Sequence, residues 1–313
     1  MSWQRKIIID TDPGQDDAVA ILIALASPEL EVMGITCVAG NVPLELTGTN
    51  ARKILELAGR ADIPVFLGSE QPLERRLVTA EHAHGKTGLD GPELPDPKIK
   101  YQDLSAIDFI IDSVKQADSK SITLCPLGPL TNIARAFKKS PDIIPRVQEI
   151  VLMGGGFFEG GNVTPSAEFN IYVDPHAAEE VIQSGVPIVM HPLDVTHEVI
   201  TSPDVIQRLK DLNNYPAQVT AEMLGFYERF NGEKYGYEGA PLHDPNVIVY
   251  LLKPELYQGK LINVQVETES ELTMGMTVAD WWNATGRPKN VFFVRHADRE
   301  EVFNVITNLL GKY

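Results

Sequence analysis

Lys6–Ile21 reads KIIIDTDPGQDDAVAI. Three isoleucines, a Pro-Gly turn and an Ala/Val/Ile run describe a buried strand, a tight turn and a buried helix. Between the two apolar runs stand four aspartates, Asp10, Asp12, Asp16 and Asp17. Two like charges ~4 Å apart repel by about 1–4 kcal/mol, depending on how much water screens them. Helix capping and the helix dipole account for Asp16 or Asp17, but not for all four. The stretch therefore calls for a positive partner.

Outward from this stretch, short apolar runs alternate with segments of helical period. Strands are expected at Lys6–Ile9, Glu31–Ala39, Val65–Leu67, Ser121–Cys125, Glu149–Met153 and Pro187–His191, with helices at Ala18–Ala26, Leu46–Ala58, Ile107–Ala117, Leu130–Lys138 and Pro175–Ser184. Strands that are apolar along their whole length and alternate with helices indicate a parallel sheet covered on both faces. From Leu261 the pattern changes to antiparallel-looking strands and a closing helix, Glu300–Leu310. Residues 70–100 are irregular and are expected to loop over a site. The expected fold is α/β: an open, mostly parallel, Rossmann-like sheet with helices on both faces and a C-terminal β/α addition. Residues 1–313 read as a single domain, since no repeat and no linker divides them.

The formal net charge of the 313 residues is -16, with 43% hydrophobic and 22% charged residues. That balance excludes a nucleic-acid phosphate surface. No apolar run reaches the ~18 residues of a membrane span, and the N-terminus lacks a signal-peptide core, so a cytoplasmic protein with no membrane partner is expected. Cys37 and Cys125 each sit in an apolar run and read as buried, inert thiols.

In open parallel sheets ligands sit beyond the carboxyl ends of the strands. The first strand is followed there by the four aspartates, and the second by Gly40 and Asn41. PLGPLTN follows the Ser121–Cys125 strand and exposes backbone around Leu127. GGGFFEGGNVTPSAEFN follows Glu149–Met153, carrying Asn162, Glu168 and Asn170. His243-Asp244-Pro245 opens a later apolar run and reads also as a helix start with Pro at the first position. Carboxylates with a carbonyl suit Ca²⁺ or Mg²⁺ rather than zinc. The spacing is not an EF-hand, and HExxH is absent. Two other readings remain open on the residues alone. One is an aspartate-dependent Mg²⁺ phosphatase with Asp10 as nucleophile and Asp12 as acid. The other is a non-catalytic nucleoside- or sugar-binding protein.

The run DTDPGQDDAVAI, followed in order by VAGN, LGPLTNIA, VLMGGG, GNVTPSAEFNIYVDP and HDP, resembles the nucleoside hydrolases, the inosine-uridine-preferring ribohydrolase family. The resemblance extends from the first strand to at least Asp280. It implies a nucleoside-salvage hydrolase that splits the N-glycosidic bond of a ribonucleoside to ribose and free base. It implies one Ca²⁺ on Asp12, Asp17, the Leu127 carbonyl and Asp244, with the ribose 2′- and 3′-hydroxyls and a water completing the shell. Asp12 would be the general base and His243 would assist departure of the base. Asp16, Asn41 and Asn170 would bind ribose hydroxyls, with Asn162, Glu168 and Met153 on the 5′ side and Asp10 behind the ligands. His84 lies where the family places a base-pocket loop. Tyr227, with Asn231 one turn later and Tyr235 beyond, is similar to the pyrimidine-leaning members. The family also implies a homo-oligomer, dimer or tetramer.

Overall fold

The computed structural model describes residues 4–235 and 239–313, with side chains for all of these except 229–235. Its strands are β1 (Arg5–Thr11), β2 (Leu30–Cys37), β3 (Val65–Leu67), β4 (Ile122–Pro126), β5 (Glu149–Met153), β6 (Ile188–His191), β7 (Ile200–Thr201), β8 (Ala240–Pro241), β9 (Tyr257–Val266), β10 (Thr277–Asp280) and β11 (Val291–Ala297). All but β7 and β8 form one sheet of nine strands among the described residues, in the order β10-β9-β11-β6-β5-β4-β1-β2-β3. From β3 to β11 every neighbouring pair is parallel. β9 and β10 run antiparallel at the far edge. The C-terminal strands thus prolong the main sheet, because β11 lies directly beside β6.

The helices are α1 (Gln15–Ala26), α2 (Leu44–Leu57), α3 (Glu81–His84), α4 (Ala106–Gln116), α5 (Thr131–Lys139), α6 (Phe169–Val173), α7 (Pro175–Ile182), α8 (Leu193–Thr196), α9 (Pro203–Asp211), α10 (Tyr215–Tyr235), α11 (Pro245–Leu252) and α12 (Arg299–Leu310). The alternation in β1 divides the core: Ile7 and Ile9 join the cluster built on α1, whereas Ile8 joins the cluster on the opposite face. From Ala18 onward α1 is apolar all round, and it is buried all round, packed against α10, α11 and α12 as well as the sheet.

One boundary bears on function. α1 starts at Gln15, three residues before the apolar run, because Gly14 caps it and donates its N–H to Asp17 Oδ2 at 2.9 Å. Asp16 and Asp17 therefore lie in the first helical turn, where the dipole favours negative charge. The irregular stretch 70–100 contains the short helix α3, which carries His84.

Candidate active site

The strand order reverses at β1, with β2 on one side and β4 on the other. That divergence opens a crevice at the carboxyl ends, the usual ligand position in such sheets. An open cleft lies there, lined by both polar and apolar side chains. Asp16, Asp17, Asn41, His84, Leu127, Met153, Asn162, Glu168, Asn170, Tyr227, His243 and Asp244 all line it. Asp12 and Asp10 sit deeper, each 1% exposed. The side chains of Asn231 and Tyr235 lie outside those described.

Asp12 is boxed in by backbone. Its Oδ2 accepts the Asn41 N–H at 2.7 Å, and Asn41 Nδ2 donates back to the Asp12 carbonyl at 3.0 Å. A Cβ at Gly40 would fall 2.0 Å from Oδ2, and one at Gly128 would fall 2.2 Å from Oδ1. Glycine at both places is what lets the loops after β2 and β4 close on this carboxylate. Burial, and then the charge of Asp17, push the Asp12 carboxyl well above its ordinary range.

Asp16, Asp17 and Asp244 each offer an oxygen, all three within 4.8 Å of one another. Burial raises Asp16 to about 7, with the Asp17 charge next in weight. Asp17 accepts from Thr11 Oγ1 as well as from Gly14, and it shares a hydrogen bond with Asp244. Two carboxylates can share such a bond only when one is protonated. Asp244 is pushed up by burial first and by Asp16 and Asp17 after it. A divalent cation among these hard oxygens would supply the positive charge that the cluster needs. The donor set fits such an ion.

Asp10 lies behind Asp12. Its Oδ1 accepts from Thr36 Oγ1 at 2.6 Å and Asn132 Nδ2 at 2.8 Å, while buried Oδ2 has no partner. Burial raises this carboxyl to about 7. Asn170 donates Nδ2 to the Leu127 carbonyl at 2.6 Å and the Met153 carbonyl at 3.3 Å, so its Oδ1 is left to accept from a hydroxyl. Leu127 O keeps a second lone pair beside that bond. Glu168 caps α6 and is raised to about 7 by burial. Its carboxylate accepts the N–H groups of Gly155, Asn170 and Ile171, which makes it an anchor for the glycine-rich loop. Asn162 Oδ1 accepts from Phe169 N at 2.9 Å in the same loop.

His243 precedes Asp244, the residue that caps α11. Asn246 Nδ2 donates to the carbonyls of Leu242 and His243, and Tyr257 holds Asn246 Oδ1, so the turn is fixed from behind. The His243 Nδ1 lies 2.7 Å from Thr196 Oγ1. His84 stacks on Tyr227 across the cleft mouth, with ring centroids 5.3 Å apart.

The profile of the family described as inosine-uridine preferring nucleoside hydrolase matches residues 7–304 of this chain. The chain belongs to that family. The nucleoside hydrolase is 46% identical to the pyrimidine-specific ribonucleoside hydrolase RihA of Photobacterium profundum, over 99% of both chains. It is 52% identical to an uncharacterized protein of Schizosaccharomyces pombe, over 98% of this chain and 99% of that one. Among solved structures, a purine-preferring ribonucleoside hydrolase from Gardnerella vaginalis superposes with a TM-score of 0.92 at 35% identity, covering 98% of each chain.

The reaction is therefore hydrolysis of an N-glycosyl bond in ribonucleosides, and the phosphatase and binding-protein readings fall away. Strand-end reasoning passes over several neighbours of the site: Phe169, Val163 and His82 line the cleft, while Gln15 and Thr196 hold the cleft-lining His84 and His243 from behind. Thr196 lies in PLDVT, the segment that follows β6. No helix among the described residues is long and apolar enough to cross a membrane.

Proposed function

We propose that this hydrolase cleaves ribonucleosides, pyrimidine nucleosides in preference, with one Ca²⁺ held by Asp12, Asp17, Asp244 and the Leu127 carbonyl. The observation that carries the reading is the buried carboxylate cluster whose members are all driven toward protonation by burial, with mutual repulsion adding at Asp12, Asp16 and Asp244. Such a cluster is stable as charged oxygen ligands only around a cation. The chemistry such an ion supplies is Lewis acidity toward water and neutralisation of charge beside the sugar.

The chain's own groups do the rest. Asp12, with a carboxyl that prefers to take up a proton, is the general base for the attacking water. Asn41 holds that carboxylate by one oxygen. The oxocarbenium character that builds on the ribose as the bond to the base breaks is stabilised by the surrounding carboxylates. Asp16, Asn41 and Asn170 bind ribose hydroxyls. Asp16 lies in the same 4.8 Å group as Asp17 and Asp244, so sugar and ion would meet in one small space. On the far side of the sugar, His243, oriented through Thr196, delivers a proton to the departing base. Calcium rather than magnesium is favoured by this irregular, many-oxygen donor set. The pyrimidine preference is supported by the higher identity to an enzyme named pyrimidine-specific than to one named purine-preferring.

Base release from uridine, cytidine, inosine, adenosine and 2′-deoxyuridine tests the proposal. Uridine and cytidine should be the better substrates, and 2′-deoxyuridine should lose at least about 10²-fold in kcat/KM because buried partners of the 2′-hydroxyl are left unsatisfied. Equal kcat/KM for uridine and 2′-deoxyuridine would contradict the sugar site.

A further inference from the structure

Gln15 stands between Gly14 and the paired aspartates, and neither the ion nor the ribose uses its amide. The side chain is fully buried. Its Nε2 donates to the carbonyls of His84 and Asp90, both at 3.0 Å. Carbonyl oxygens only accept, so these two contacts fix which end of the amide is nitrogen. The remaining atom, Oε1, lies 2.7 Å from His84 Nδ1. An amide oxygen also only accepts, so the proton of this bond belongs to His84 Nδ1. Burial lowers the His84 ring to about 4, which keeps it neutral near pH 7. A neutral ring with its proton on Nδ1 carries a lone pair on Nε2.

The ring is also held in place. A Cβ at Gly14 would lie 2.4 Å from Nδ1 and 2.8 Å from Cε1, so the glycine backbone presses on that edge. Tyr227 is stacked on the ring. Nδ1 is taken up by Gln15, His84 lines the cleft, and its Nε2 has no hydrogen bond among the described residues.

We propose that Gln15 is a positioning residue that locks His84 as the Nδ1–H tautomer, making Nε2 a hydrogen-bond acceptor for an N–H group of the nucleobase. This deepens the reading of the cleft as a nucleoside site and rests on it. Bases carrying a ring or exocyclic N–H on that edge, such as the N3–H of uracil, are accepted. Bases methylated there lose the donor. With the opposite tautomer His84 would present an N–H instead and would select a carbonyl oxygen.

Two measurements test this on the intact enzyme. In long-range ¹H–¹⁵N spectra of histidine-labelled wild-type protein near neutral pH, the His84 signals, assigned by their loss in His84→Phe, should show Nδ1 protonated and Nε2 bare. The reverse pattern overturns the proposal. Kinetically, wild type should favour uridine over 3-methyluridine. Gln15→Met should lower kcat/KM for uridine roughly 10-fold and narrow that gap. p-Nitrophenyl riboside, which offers no base N–H, should lose much less. An equal loss on uridine and p-nitrophenyl riboside would make Gln15 a structural residue only and would also overturn the proposal. If wild type cleaves neither substrate, the nucleoside reading itself fails, whereas the tautomer is still decided by the spectra.

Discussion

Asp12 is the residue on which the proposed chemistry turns. Its carboxylate is held by Asn41 through one oxygen and hemmed by two glycines, and burial raises its affinity for a proton. In Asp12→Asn an amide keeps an oxygen toward the ion but cannot accept a proton. The expected result is a fall in kcat of at least about 10²-fold with calcium binding weakened far less, checked by steady-state kinetics beside calorimetric titration. A near-normal kcat would remove Asp12 from the base role. The aspartates are legible in the sequence because helix capping explains one or two of the four like charges between the apolar runs and leaves the others without a structural reason. Gln15 and Thr196 were not legible. Their partners lie 69 and 47 residues away, and an amide or a hydroxyl alone carries no charge anomaly to betray it.

At the scale of the element, the site is made by loops that follow parallel strands, and two of those loops close on Asp12 only because they carry glycine. Gly40→Ala places a methyl group 2.0 Å from Asp12 Oδ2 and close to Pro129, so the carboxylate or the loop after β2 must move. We expect kcat to fall at least about 10-fold, with a loss of stability of about 1–3 kcal/mol by denaturant titration. A variant with wild-type kcat would mean that Asp12 does not need its observed placement. The strands were legible because each is apolar along its length, and β3 and β5 match the expected bounds. α1 starts three residues before the apolar run, since the bond from the Gly14 N–H to the Asp17 carboxylate is a cap that apolar periodicity does not register. The place of β11 beside β6 was hidden for another reason: sequence pattern gives strands, not their neighbours.

For the whole molecule, the cluster makes stability depend on pH and on calcium together. Burial raises Asp10, Asp16 and Glu168 to about 7 in the fold, against ordinary values of 3.8 for aspartate and 4.5 for glutamate. Between these values the folded state binds more protons than the unfolded one, so the stability these groups lend is full below about 4 and is lost as pH rises through about 7. His84, lowered to about 4, and His191, lowered to about 3, act oppositely, but only below their ordinary value of 6.5. Above 6.5 the carboxylates alone remain. The Tm of chelated protein should therefore drop from pH 6.5 to about 8, and calcium should restore more Tm at the higher pH. A pH-independent calcium effect would contradict this.

The most direct test of the central claim is the metal itself. Protein purified without chelator should contain about one calcium per chain by elemental analysis. Stripping it should abolish uridine hydrolysis, and calcium added back should restore activity in proportion to the ion bound. Full activity in metal-free protein held in excess EDTA would contradict the account.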